Sequence, residues 1–136
     1  MRGQKILVVD DDLIIHGTLG IFLKSSGYQV LTALDLPQAM TVVRKEKPDL
    51  ILLDFVFPPA LSQGRGDMWD GLLILAMLRR MENAKRAPVI LMSGADPARY
   101  GAAAAAAGIT EFVHKPIVDP SKLLTAIRRA LSPAGG

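Results

Sequence analysis

The sequence predicts an α/β fold, in which helices cover both faces of a parallel sheet. Short apolar segments alternate with helix-like segments along all 136 residues. Two of the apolar segments, Ile6–Val9 and Leu50–Leu53, show no alternation of apolar and polar residues. That pattern is typical of central parallel strands buried on both faces. Successive strand–helix units of this kind fold into a sheet wound by right-handed crossovers.

Five strands are predicted from runs rich in apolar and β-branched residues. They are Lys5–Val9, Tyr28–Thr32, Leu50–Leu53, Val89–Met92 and Glu111–His114. A chain of 136 residues is too short for two ordinary domains. We therefore expect residues 1–131 to form one domain, followed by a flexible tail over residues 132–136.

Five helices are predicted between and after these strands. Asp35 and Gln38 have the spacing of a capping box, and Asp119 precedes a proline at the first helical position. Gly27 falls where helix-ending glycines are common. The predicted helices cover residues 13–26, 36–46, 71–84, 97–107 and 120–131.

Composition limits the chemistry of the chain. The absence of cysteine excludes disulfides, thiolate metal sites and a cysteine nucleophile. No apolar run approaches the roughly 20 residues of a membrane span, and the N-terminal segment does not have the pattern of a signal peptide. We expect a cytoplasmic protein with no membrane partner.

The net charge is +3, but the basic residues occur in pairs late in predicted helices, so we expect no direct contact with nucleic acid.

Polar side chains follow four of the predicted strands. Asp10 and Asp11 come directly after the first strand, and Asp54 ends the third. Ser93 follows the fourth strand and Lys115 the fifth. The carboxyl ends of parallel strands meet at one edge of the sheet, where the binding crevice of such folds lies. We therefore expect these five side chains to come together.

Clustered carboxylates require a counter-charge. At about 5 Å and an effective dielectric of about 20, each carboxylate pair costs roughly 3 kcal/mol. Mg²⁺ relieves such repulsion, because it binds one or two carboxylates and keeps waters for an incoming phosphate. Lys115 can pair with a phosphate oxygen, and the Ser93 hydroxyl can donate a hydrogen bond to another. The set suits phosphoryl transfer, which needs positioning and charge neutralisation.

Three other polar residues are predicted to have no catalytic role. Asp12 lies one residue beyond the acidic pair and is predicted to cap the first helix. His16 and His114 have no partner that is apparent from the sequence.

Four motifs contain the predicted site residues. They are Lys5-Ile-Leu-Val-Val-Asp-Asp11, Asp49-Leu-Ile-Leu-Leu-Asp54, Pro88-Val-Ile-Leu-Met-Ser-Gly94 and His114-Lys115-Pro116. Together they closely resemble the receiver domains of response regulators, over essentially the whole chain. The resemblance implies a flavodoxin-like (βα)5 fold with a doubly wound, five-stranded parallel sheet in the order 2-1-3-4-5. It also implies that the domain over residues 1–131 is a receiver domain.

The resemblance implies that Asp54 is a phosphoacceptor that works with Mg²⁺. The ion would be held by Asp10, Asp11, Asp54 and the backbone carbonyl of Val56. Ser93 and Lys115 would contact the phosphoryl group. By the same resemblance the chain is a signalling domain and not an enzyme, although it assists its own phosphorylation and dephosphorylation.

Phe112 matches the switch aromatic of the family, which turns inward when the Ser93 hydroxyl moves toward the phosphoryl group. A core phenylalanine of the fifth strand is the other interpretation of this residue. Phosphorylation would change a protein-interaction surface made by the fourth helix, the fifth strand and the fifth helix.

The resemblance also implies partners. A histidine kinase or a histidine phosphotransfer protein would supply the phosphoryl group. A downstream effector protein or a linked output domain would receive the signal. The output face could also join two copies of the chain as a homodimer.

The segment after Asp54 departs from the family pattern. Pro58 lies where a proline is expected, but the expected Asp-Gly pair, Asp70-Gly71, comes about nine residues late. The segment Phe57–Trp69 therefore contains an insertion. It would form either a flap beside Asp54 that alters access or partner choice, or a disordered decoration.

Three alternative functions compete with this interpretation. An adaptor receiver that is not phosphorylated would have the same fold. A phosphatase of the haloacid dehalogenase type also uses an aspartyl-phosphate and Mg²⁺, and Asp10-x-Asp12 has its spacing, but Leu13-Ile14 replaces the expected Gly-Thr and Asp54 would have no role. A flavodoxin-type binding module would need a hydroxyl- and glycine-rich loop after the first strand, where this chain has aspartates.

Overall fold

The computed structural model describes residues 3–54, 75–81, 87–93, 109, 111–114 and 119–131. Five strands within these residues form one sheet, and every neighbouring pair is parallel. Their order, β2-β1-β3-β4-β5, is the predicted order. The strands are β1 Lys5–Val9, β2 Gln29–Ala33, β3 Leu50–Asp54, β4 Val89–Ser93 and β5 Glu111–His114.

Strand bounds differ from the predictions by one residue at three strands. β3 and β4 each extend to the polar residue that follows the apolar run, Asp54 and Ser93. β2 begins one residue later than predicted. Its predicted first residue, Tyr28, donates its amide N–H to the carbonyl of Leu23 at 3.1 Å and so belongs to the end of the preceding helix.

Two helices separate the first three strands, and a third helix follows the last strand. They are α1 Leu13–Ser25, α2 Leu36–Glu46 and the C-terminal helix Pro120–Leu131. α1 ends one residue earlier than predicted, and Gly27 follows with a φ of +97°, which fits a helix-ending glycine. The other two helices have the predicted bounds.

The start of α2 is capped from both directions. The Asp35 carboxylate accepts the N–H of Gln38 at 2.9 Å, as a capping box requires. The Gln38 side chain accepts the N–H of Leu34 at 2.9 Å, whereas a capping box would use the N–H of Asp35. The predicted cap is therefore present with a return bond shifted by one residue.

The helix predicted over residues 71–84 ends early. Its described part is helical only as far as Arg79. The amide groups of Arg80 and Met81 donate to carbonyl oxygens three residues back, at 3.2 and 3.0 Å, and this tighter turn stops the helix. The Arg79 guanidinium donates to the carbonyl of Ala87 at 2.5 Å, which ties the turn to the start of β4. The predicted end at residue 84 is wrong.

Three predicted segments lie outside the described residues. They are the helix over residues 97–107, the inserted segment Phe57–Trp69 and the tail over residues 132–136.

The sheet separates two apolar clusters, one on each face. One cluster packs alternate residues of β1, β3 and β4 against α2, and the other packs the remaining residues against α1 and the C-terminal helix. All of Ile6–Val9 and Leu50–Leu53 are fully buried. This burial confirms that the two segments without alternation of apolar and polar residues are central strands. The central position of β1 and β3 places their carboxyl ends side by side.

The C-terminal helix is fixed to the sheet by apolar and charged contacts. Leu123 and Ile127 are fully buried against it. Arg129, in the last turn of the helix, pairs with the carboxylate of Glu111 on β5. No helix within the described ranges has both the length and the apolar character that crossing a bilayer requires.

Candidate functional site

Three aspartate side chains meet at the carboxyl edge of the sheet. Asp10, Asp11 and Asp54 each offer a carboxylate oxygen, and these oxygens lie within 4.8 Å of one another. Asp10 follows β1 and Asp54 ends β3, and the two strands pair directly in the sheet. The structure therefore brings together the three acidic members of the predicted site.

Asp10 is held rigidly at the end of β1. It is fully buried, and its amide N–H donates to the carbonyl of Ala33 at 3.1 Å, which continues the pairing with β2. Its carboxylate accepts the N–H of Asp12 at 2.9 Å. One oxygen of this carboxylate is thus oriented by the backbone of the loop that leads into α1.

Asp12 performs the capping role that was predicted from the sequence. Its carboxylate accepts the N–H of Ile14 at 2.8 Å, at the first turn of α1. This bond satisfies an amide that has no partner within the helix. Asp12 therefore stabilises the helix start, and the acidic cluster consists of its two predecessors and Asp54.

His16 contacts the site in a way that sequence analysis missed. Its ring nitrogen Nε2 lies 2.6 Å from the carbonyl oxygen of Asp10. The other ring nitrogen, Nδ1, is buried without a hydrogen-bond partner among the residues that the structure describes. The sequence contains no signal for this contact, because a helical residue reaches back across a loop to a backbone atom.

The chemistry of the three carboxylates fits a hard divalent cation. Asp10 and Asp54 are buried while Asp11 is exposed, so negative charge is concentrated at a site that opens to solvent on one side. Three carboxylate oxygens within 4.8 Å of one another are close enough to share one hard divalent cation such as Mg²⁺. A cation would remove the repulsion that burial strengthens.

The other predicted site residues are described only in part. Ser93 ends β4, and its backbone pairs with that of His114 in β5, at the same edge of the sheet as Asp54. Phe112 lies in β5 opposite Leu91. The side chains of Ser93 and Phe112 lie outside the described part of the structure. Val56 and Lys115 lie entirely outside it.

The order of the parallel sheet and the acidic cluster at its carboxyl edge match the fold and site of a known class of signalling domain. A family model described as the response regulator receiver domain matches residues 6–128. The chain therefore belongs to the response regulator receiver domain family. The match confirms the resemblance inferred from the motifs, and it favours neither the phosphatase nor the flavodoxin-type alternative.

Two named regulatory proteins are among the relatives that the chain resembles. The chain is 28% identical over 135 residues to the phosphate regulon transcriptional regulatory protein PhoB of Pseudomonas aeruginosa, covering 99% of this chain and 55% of that protein. It is 31% identical over 129 residues to the nitrogen assimilation regulatory protein NtrX of Azorhizobium caulinodans, covering 95% and 26%. The chain thus spans about half of one relative and about a quarter of the other.

Solved structures agree with the fold. The chemotaxis protein CheY4 of Vibrio cholerae is 26% identical and superposes with a TM-score of 0.82, covering 95% of this chain and 99% of that one. The receiver domain of a sensor histidine kinase from Pseudomonas aeruginosa, also 26% identical, gives a TM-score of 0.77 and covers 95% and 98%. That structure carries a magnesium ion coordinated in its active site cleft.

Proposed function

We propose that this receiver domain accepts a phosphoryl group on Asp54 in a Mg²⁺-dependent reaction of two-component signalling. The observation that supports this most is the meeting of the Asp10, Asp11 and Asp54 carboxylates at the carboxyl edge of the sheet. The resemblance of the Asp49–Asp54 motif to the family assigns the acceptor role to Asp54 and a metal-binding role to Asp10, and the family match supports this assignment. Asp54 ends the central strand of the sheet, beside Asp10 at its carboxyl edge.

Asp10, Asp11 and Asp54, with the backbone carbonyl of Val56, would hold the Mg²⁺. When bound, the ion neutralises the negative charge of the carboxylates and of the incoming phosphoryl oxygens. The relative from Pseudomonas aeruginosa that carries magnesium in its cleft supports this assignment.

The chain's own residues would carry the transfer. The Asp54 carboxylate attacks the phosphorus of a phosphohistidine in line, a bond from oxygen to phosphorus forms, and the bond from nitrogen to phosphorus breaks. The imidazole leaves with the electron pair and takes a proton from solvent. Lys115 would pair with one phosphoryl oxygen, and the Ser93 hydroxyl would donate a hydrogen bond to another.

Phosphorylation would then bias a protein-interaction surface. Ser93 and Phe112 would act as switch residues, and the surface would include β5 and the C-terminal helix with residues 97–107. The surface would exist in an inactive and an active form. Shifting the equilibrium between them from mostly inactive to mostly active needs roughly 5 kcal/mol of differential stabilisation. The domain would comprise residues 1–131, an assignment supported by the family match over residues 6–128.

The proposed partners follow from the class of protein. A histidine kinase or a histidine phosphotransfer protein would donate the phosphoryl group in the cytoplasm. An effector protein or a linked output domain would respond to it, and the linked arrangement is supported by the two regulatory proteins of which the chain spans only 55% and 26%. The interaction surface could also join two copies of the chain. The domain would assist its own phosphorylation and dephosphorylation without acting on a separate substrate.

Labelling by acetyl phosphate tests the proposal. We expect the wild-type chain to be labelled with Mg²⁺ and not with excess EDTA, and Asp54→Asn to abolish labelling. Asp49→Asn is a matched control, because Asp49 lies just before the other end of β3, where its carboxylate accepts the N–H of Lys5 at 2.7 Å. This variant should be labelled normally.

Two outcomes would contradict the proposal. Equal labelling of Asp54→Asn and wild type would assign the acceptor to another residue. A wild-type chain that is not labelled by acetyl phosphate or by phosphohistidine donors would favour the adaptor receiver instead.

A further inference from the structure

We infer that His16 is a positioning residue for the metal-binding carboxylates and that it acts through the backbone of Asp10. The inference rests on the proposed Mg²⁺ site. The His16 Nε2 atom lies 2.6 Å from the carbonyl oxygen of Asp10. A carbonyl oxygen can only accept a hydrogen bond, so this ring nitrogen carries the proton and donates it.

The bonded oxygen belongs to the peptide unit that joins Asp10 to Asp11. A peptide unit is planar, so fixing its oxygen fixes the rotation of the whole plane and the direction in which the chain continues to Asp11. Asp10 is already fixed by its N–H bond to Ala33 and by the bond from Asp12 to its carboxylate. The bond from His16 adds control over the next residue, the exposed carboxylate of the cluster.

α1 gives His16 a rigid base for this contact. The N–H of His16 donates to the carbonyl of Asp12 at 3.2 Å, one of the first hydrogen bonds of the helix. The same residue is therefore tied to the loop twice, by its backbone at Asp12 and by its ring at Asp10. Asp11 lies between these two attachment points, so its direction is coupled to the helix. A site held by such supporting contacts is pre-organised for its ligand.

The second ring nitrogen shows that packing alone does not account for the histidine. Nδ1 is buried and has no hydrogen-bond partner within the described ranges. An unsatisfied buried polar atom destabilises the folded state, and a leucine at this position would remove it. The contribution of the imidazole is thus the hydrogen bond that its other nitrogen makes to Asp10.

Metal binding by His16 variants tests the inference. We would measure Mn²⁺ affinity by electron paramagnetic resonance of the free ion, with Mg²⁺ as competitor, and the urea midpoint in EDTA. His16→Leu should weaken Mn²⁺ binding about tenfold without lowering the urea midpoint. His16→Gln should recover most of the affinity, because its amide N–H can donate to the same carbonyl. Thr18→Leu, on the exposed surface of α1, is the control and should bind as wild type does.

Three results would overturn the inference. Wild-type affinity in His16→Leu would show that the Asp10 contact does not orient the site, while the proposed metal site would stand. A loss of affinity in His16→Leu and His16→Gln alike, together with a lower urea midpoint, would show a structural role only. If the wild-type chain itself showed no Mn²⁺ binding that Mg²⁺ displaces, the metal site would fail and the inference with it.

Discussion

At the scale of single residues, three consecutive aspartates acquire three different environments. Asp10 is buried and anchored by backbone amides, Asp11 is exposed within the acidic cluster, and Asp12 caps α1. Their side chains are chemically identical, so the difference comes from where the strand ends and the helix begins. Burial and hydrogen bonds fix Asp10, whereas the exposed Asp11 is directed by the loop that His16 and Asp12 hold on either side of it.

Asp119, at the start of the C-terminal helix, gives a prediction about pH. The Ser121 hydroxyl and, next, the Ser121 backbone N–H donate to its carboxylate and lower its pKa below the usual 3.8. Because the folded pKa is below the unfolded one, the stabilisation is present above about pH 4 and is lost as the pH falls through the folded value.

We expect the Ser121 amide to titrate in an NMR experiment with a midpoint below 3.8. Ser121→Ala removes the hydroxyl donor and should move the midpoint at residue 121 upward. A wild-type midpoint at or above 3.8 would contradict the assignment of these bonds.

Part of the site could be predicted from the sequence, for reasons that differ between residues. The meeting of Asp10 and Asp54 followed from a topological rule about the carboxyl ends of parallel strands. The cap at Asp12 followed from local chemistry. The contact of His16 could not be predicted, because it depends on the direction in which α1 leaves the loop, and no short-range pattern encodes that direction.

At the scale of elements, the two described helix ends before β2 and β3 use different residues for similar turns. Gly27, with φ +97°, follows α1, whereas Lys47, with φ 52°, ends α2 in the left-handed region. A side chain at positive φ strains the backbone, and glycine avoids that strain. α2 therefore ends in a backbone conformation that its residue does not favour.

We expect Lys47→Gly to raise the free energy of unfolding by about 1 kcal/mol, measured by urea denaturation. Lys47→Ala removes the same charge but keeps a Cβ atom, so it should change stability much less. An equal gain in both variants would assign the effect to charge repulsion near the end of α2 and not to backbone strain.

Element bounds were predictable to within one residue where apolar runs define them. β2 is the instructive case, because its start depends on Tyr28 completing the end of α1 before the strand begins. The early end of the helix at Arg79 was not predictable from periodicity. It follows from two local i→i−3 hydrogen bonds and from the guanidinium bond to the carbonyl of Ala87 at the start of β4, neither of which the apolar periodicity encodes.

At the scale of the whole molecule, the acidic cluster opposes folding. Three carboxylate oxygens within 4.8 Å repel one another at the edge of the most buried strands. A ligand that binds only the folded state stabilises it by mass action, by about 2.7 kcal/mol at a concentration of 100 Kd. Metal binding and stability should therefore be linked.

We expect EDTA to lower the urea midpoint of the wild-type chain relative to saturating Mg²⁺. Asp54→Asn should be more stable than wild type in EDTA, because one charge of the cluster is removed, and should gain less from Mg²⁺. Asp49→Asn should gain as much from Mg²⁺ as wild type does. A Mg²⁺ effect of equal size in Asp54→Asn would contradict a metal site that includes Asp54.

The order of the sheet has a consequence for synthesis of the chain on the ribosome. β2, β1 and β3 are neighbours and emerge first, but β4, the other partner of β3, begins roughly 35 residues after β3 ends. Because the ribosome adds about 5–20 residues per second, the edge of β3 that pairs with β4 stays unpaired for roughly 2–7 s. An unpaired edge with the apolar run Leu50–Leu53 favours aggregation, and flanking charges oppose it. Asp49 and Asp54 flank that run, so the proposed phosphoacceptor would also act as a gatekeeper that keeps the nascent chain from self-association.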